Sequence, residues 1–121
     1  METTKSPLTS FITYDGWKDG HLHDQTGRGY TTEILKFTEK INAPWFIDQV
    51  LRFSSCFLEI RQIWTLRRIF VDNKPMPWFC LTMQDESGEL IFAQSVTQNI
   101  PGVDTISAMV NNTLLMLVNE C

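Results

Sequence analysis

No lysine or arginine follows Lys74 in this sequence. From Pro75 onward the only charged residues are Asp85, Glu86, Glu89, Asp104 and Glu120, a net −5, in a chain whose formal charge is −4. Attraction to phosphate supplies most non-specific nucleic-acid affinity, so that half of the chain is excluded as a nucleic-acid surface. Cysteine is scarce too. Cys56, Cys80 and Cys121 cannot all pair with one another, and none belongs to a CxxC, which excludes a disulfide framework and the common zinc and thiol-redox patterns. Free thiols in a reducing compartment are the simplest expectation. No run of about 20 apolar residues exists to span a bilayer, and Met1–Pro7 lacks the apolar core of a signal peptide, so a cytoplasmic protein is expected. Neither GxxxxGK[ST], nor GxGxxG, nor Gly-x-Ser-x-Gly occurs.

What is present is an ordinary globular composition, 43% hydrophobic and 20% charged over 121 residues. That opposes disorder and fits one domain, expected over residues 11–121 behind a loose polar tail at 1–10. The clearest stretch runs from Arg61 to Thr97. It reads as antiparallel strands over Trp64–Val71, Trp78–Gln84 and Glu89–Thr97, because Asp72-Asn73-Lys74-Pro75 and Asp85-Glu86-Ser87-Gly88 supply turn residues between β-branched and aromatic runs. Phe11, Ile12 and Tyr14 suggest a short edge strand, and Cys56–Ile63 alternates in a way that favours strand over helix.

Thr31 or Thr32 can cap a helix with an apolar side made of Ile34, Leu35, Phe37 and Ile41. A second helix is expected from Pro44, where a proline loses nothing by lacking an N–H, to about Ser54-Ser55. A last helix is predicted from about Thr105 to Asn119, with Ile106, Met109, Val110, Leu114, Leu117 and Val118 as its stripe. The fold class expected is α+β in two layers, with an antiparallel meander of about four strands, two helices before it and one C-terminal helix.

Two features point to a partner. The predicted last helix has no charge on its far flank, which holds Asn111, Leu115 and Met116, and neither face of the meander is plainly polar. Arginine and tryptophan are the usual anchors of protein interfaces, which adds Trp64, Arg67, Arg68 and Trp78. The expectation is a non-enzymatic protein–protein interaction module, such as an adaptor, an inhibitor or immunity protein, or a dedicated chaperone, acting as a homodimer.

Two alternatives come from other residues. His21, His23 and Asp24, with Asp15 and Asp19 nearby, form the only cluster of catalytic residue types, and a carboxylate-oriented imidazole is the arrangement of a general base. Together with Arg28, in a Gly-rich approach to a helix, they define a small ligand or enzyme site at the mouth of a pocket between sheet and helices. The bland reading is a solvated loop over residues 15–29. Arg61, Arg67 and Arg68 beside aromatic rings define a surface for single-stranded nucleic acid, which the acidic balance opposes. No cofactor and no metal is implied by any motif.

Overall fold

The structure, a computed structural model, describes residues 20–23 and 25–118. The expected tail, the edge strand at Phe11–Tyr14, Asp15, Asp19, Asp24 and Cys121 lie outside the described residues. The chain is mostly β. A short hairpin of β1 (Gly20–Leu22) and β2 (Gly29–Thr31) leads into α1 (Thr32–Lys40) and α2 (Trp45–Ser54), followed by β3 (Arg61–Val71), β4 (Lys74–Gln84), β5 (Leu90–Val96), β6 (Thr105–Asn111) and β7 (Leu114–Leu117). The strands form one seven-stranded sheet in the order β1-β2-β7-β6-β3-β4-β5. It is mixed, since β2 runs parallel to β7 while every other pair is antiparallel.

This corrects the expected α+β meander with a C-terminal helix. The segment predicted as that helix is the β6–β7 hairpin, which turns at Asn112 and Thr113 with φ of 51° and 71°. Two consecutive left-handed residues make the tight turn whose twist suits a hairpin, and asparagine tolerates that conformation where threonine does not. The apolar stripe read at helical spacing is two strands folded on each other. Strand β6 lies between β3 and β7 and buries Ala108, Met109 and Val110 in succession. Met109, buried on the face away from the helices between Ala108 and Val110, makes an uncharged apolar run that also suits a helix buried all round.

The helices form for the reasons legible in the sequence. The Thr31 side chain accepts from the Ile34 amide at 3.2 Å, satisfying one of the four orphan donors of the first turn of α1. At its other end Asn42 takes φ 60°, the Ala43 amide donates to the Thr38 carbonyl and the Asn42 amide to the Glu39 carbonyl. That pair of bonds closes the helix and frees the chain for Pro44 and α2.

Both helices lie on one face of the sheet. Ile34 on α1 and Phe46, Ile47, Val50 and Leu51 on α2 share a core with Trp64, Leu66, Phe79, Leu81, Met83, Ile106, Ala108, Val110 and Leu115. The register accounts for this set, because Trp64 pairs with Met83 and Ala108, and Leu66 with Leu81 and Ile106, and directly opposed residues project to the same side. Each such side chain taken from water contributes roughly 1.5–3 kcal/mol. The opposite face carries Thr65, Arg67, Cys80, Thr82, Ser107 and the buried cross-strand pair Met109–Met116, and its only basic groups among these are on Arg67.

Within the core a polar chain is completed by Gln62, which is fully buried. Its Oε1 accepts from the Ser54 hydroxyl at 2.6 Å and from Trp64 Nε1 at 3.0 Å, while its Nε2 donates to the Glu59 carbonyl at 3.1 Å. Buried polar groups persist only when partnered in this way. The network ties the C-terminal end of α2 to the start of β3. No helix among the described residues is long and apolar enough to cross a membrane.

Candidate functional site

The stretch expected as loop contains the β1–β2 hairpin, whose three-residue strands are too short to show a period. His21 and His23 are held differently within it. His21 Nε2 lies 3.0 Å from the Thr32 hydroxyl, and its ring stacks on Tyr30 at 5.2 Å. His23 joins the hairpin to α2, since Nε2 donates to Asp48 Oδ1 at 2.9 Å and Nδ1 lies 2.9 Å from the Thr26 hydroxyl. A carboxylate only accepts, which fixes the proton on Nε2 and leaves Nδ1 as the acceptor in the neutral ring. Asp48 in turn takes Arg52 Nε at 2.8 Å. Burial alone raises the Asp48 carboxyl, but the hydrogen bonds from His23 and Arg52, with their charges, outweigh it and hold the group below its usual value.

The hydroxyl–imidazole–carboxylate order of Thr26, His23 and Asp48 has the layout of an activated nucleophile. Its engagement argues for a clamp instead. Both ring nitrogens of His23 are taken within the chain, and Thr26 Oγ1 also accepts from the Arg28 amide at 3.3 Å, a turn-stabilising bond. Arg28 reaches Ser54 Oγ at 3.5 Å and so points to the end of α2. Asp48, the partner of His23, lies 25 positions away, and no local spacing could have revealed it. Among the described residues no group of three or more His, Cys, Asp and Glu is placed to hold a metal ion.

The three arginines of β3 do not make a common surface. Arg67 is exposed on the face away from the helices, Arg61 shares that face and sits 3.7 Å from Glu86, and Arg68 points to the other side. The Arg68 side chain is 6% exposed. Its guanidinium donates to the carbonyls of Met76, Ile100 and Val103, to Asn99 Oδ1 and to Asp104 Oδ1, and lies 4.5 Å above the centre of the Phe79 ring. Every N–H of the fork has a partner. Arg68 therefore fixes the 99–104 segment to the β3–β4 hairpin, beside a shallow groove of about 330 Å³ bounded by Pro75, Pro77 and Pro101.

Of the residues expected at an interface, Trp64 and Leu115 are fully buried in the core and cannot meet a partner, and Arg68 is committed to the fold. Met116 is buried on the sheet face away from the helices, and Asn111 is half-buried beside the β6–β7 turn. Arg67 and Trp78 are exposed. Trp78 belongs to an arm. Strand β5 stops pairing with β4 at Phe79 and β6 stops pairing with β3 at Arg67, so the hairpin from Ile69 to Trp78 extends past both neighbours. The arm exposes Phe70, Val71 and Trp78.

A second exposed apolar group lies at the opposite end of these strands. Leu58 is 98% exposed, Ile60 and Leu90 are exposed as well, and Leu58 to Arg61 border a depression of about 440 Å³ against the Asp85–Ser87 turn. These residues carry no motif, since an isolated Leu or Ile in an irregular segment is more often buried than not. Cys56 is exposed and Cys80 half-buried, and neither is in a disulfide. No protein-family model, curated protein or solved structure matches this chain.

Proposed function

We propose that this chain is a non-catalytic protein–protein interaction module, an adaptor, inhibitor or chaperone in kind, that acts as a homodimer in the reducing cytoplasm. One observation carries the reading. Among the described residues, six of the seven exposed large hydrophobic side chains, Leu58, Ile60, Phe70, Val71, Trp78 and Leu90, sit on or beside strands β3 to β5. Scattered exposed apolar residues are normal on any protein, whereas groups of them, here Phe70, Val71 and Trp78 on the arm and Leu58, Ile60 and Leu90 at the opposite end of the strands, mark surfaces that another chain covers. Tryptophan and phenylalanine are also the side chains that most often dominate binding energy.

The ligand-site alternative has less behind it, because the polar groups of His23, Thr26 and Asp48 are engaged with one another. Sedimentation velocity over a wide range of protein concentration tests the homodimer. Twice the chain mass of 14.0 kDa is the expected result, and a monomer at every concentration would refute it.

A further inference from the structure

Strand β5 is an outer strand of the sheet, and no other described strand pairs with its free edge. An edge strand presents a row of N–H and C=O groups to any chain that can pair with it, and proteins normally blunt such edges with charge, proline or shortness. The other outer strand, β1, is three residues long. The arm beyond β5 carries Pro75 and Pro77 on β4, which remove two of the donors that an added strand would need. Strand β5 has a single bulge at Ile91, near its Leu90 end, and neither charge, proline nor shortness beyond it. Its seven residues, Leu-Ile-Phe-Ala-Gln-Ser-Val, include no charge and no proline, and the nearest charges along the chain are Glu89 and Asp104.

We infer that β5 pairs antiparallel with β5 of a second copy of this chain, about a two-fold axis at Ala93, joining the two sheets into one. The inference rests on the homodimeric reading above and names its contact. The charge distribution admits a second copy and selects the direction. Centred on Ala93, Leu90 falls opposite Val96 of the second copy, and Glu89 opposite Thr97. The two Glu89 carboxylates then stand about 27 Å apart along the strands at ~3.4 Å per residue, far beyond the ~8 Å screening length at physiological salt. A parallel pairing in register would set them about 4.8 Å apart. Closed two-fold symmetry likewise requires the antiparallel form.

The flank of the edge supplies apolar contact. Phe92 packs against Phe53, Phe57 and Trp64, with ring centroids at 4.7, 5.5 and 5.7 Å, so β5 is anchored to the core. The exposed Leu90 starts the strand itself and adds apolar surface to the edge.

A charge exchange at the axis tests this, because Ala93 is exposed and would stand directly opposite its own copy. Native mass spectrometry is applied to the full chain, to Ala93→Lys, to Ala93→Glu, and to an equimolar mixture of the two variants, with circular dichroism confirming that each keeps its β signal. The wild type is expected as a dimer, each variant alone as a monomer, and the mixture as a heterodimer carrying one of each. A wild-type dimer that both variants retain would overturn the β5 contact and leave the homodimeric reading standing. A monomeric wild type would overturn both.

Discussion

Replacing Arg68 should be among the most damaging single changes on the surface strands of this molecule, and its cost can be worked from the contacts. In Arg68→Met the aliphatic length is kept, while the carbonyls of Met76, Ile100 and Val103 lose their donor and Asn99 and Asp104 lose theirs. A buried acceptor left without a partner costs about 1–3 kcal/mol. Three carbonyls would set an upper figure near 9 kcal/mol, but the groove beside them admits water, and bridging waters recover part of the loss. Losing the guanidinium above Phe79 adds roughly 0.5–1 kcal/mol. A destabilisation of about 3–5 kcal/mol is expected, in line with breaking a buried charged cluster by removing one member. With a urea m-value of about 1.5 kcal/mol/M, the unfolding midpoint followed by tryptophan fluorescence should fall by about 2–3 M. Arg68→Lys should recover less than half, since an ammonium cannot reproduce the planar fork. Asp104→Ala should cost no more than about 1 kcal/mol, because that carboxylate is 66% exposed and its ion pair is screened. A midpoint shift worth under about 1 kcal/mol in Arg68→Met would refute the view that the fork holds the 99–104 segment to the hairpin.

Two further perturbations address the turn and the clamp. Thr113→Gly relieves a β-branched residue held at φ 71° and should stabilise by about 0.5–1 kcal/mol, read as a higher urea midpoint; a loss of stability would mean that the Thr113 side chain makes a contact outweighing the strain. Asp48 has a carboxyl depressed below 3.8, so its contribution is present above the unfolded value and is lost as pH falls through the folded one. Urea midpoints measured from about pH 5 down to about pH 2 should therefore fall more steeply for the wild type than for Asp48→Asn. Parallel curves would show that the His23–Asp48–Arg52 chain contributes no linkage.

Much of the local structure was legible because single residues have a single physical use. Thr31 caps α1, Pro44 opens α2, and Asp72-Asn73 turns β3 into β4 with φ of 52° and 64°. The Asp85 turn closes as its residues suggest, with the carboxylate accepting from the Ser87 and Glu89 amides and from the Ser87 hydroxyl, which lowers its pKa. The β6–β7 hairpin was illegible because its turn is Asn112-Thr113, without the glycine that advertises such a turn, and because Met109 in β6 and the apolar run Leu114–Leu117 of β7 interrupt the period of two. Trp64 and Arg68 were misplaced for a different reason. The alternation of β3 correctly separates Arg68 from Arg67, but it cannot say which face is covered, and a charged side chain is ordinarily assigned to the surface. The clamp on His23 joins residues 25 apart and exists only once α2 lies against the hairpin.

The same sequence signal, a long stretch without charge, has two causes in this chain, and separating them decides where a partner belongs. From Leu90 to Val103 there is no ionisable side chain, and from Thr105 to Asn119 there is none either. In β6 burial accounts for most of it, since Ile106, Ala108, Met109 and Val110 are enclosed, and only Thr105 and Ser107 of the strand are exposed. In β5 burial does not. Leu90, Ala93, Gln94 and Ser95 are exposed and yet uncharged, on an outer strand where lysine or glutamate would increase solubility and forbid edge pairing. A charge there would be harmless to the isolated chain and ruinous to a paired edge, so the composition of β5 is what the proposed β5–β5 pairing requires, whereas the buried residues of β6 need nothing beyond their own sheet.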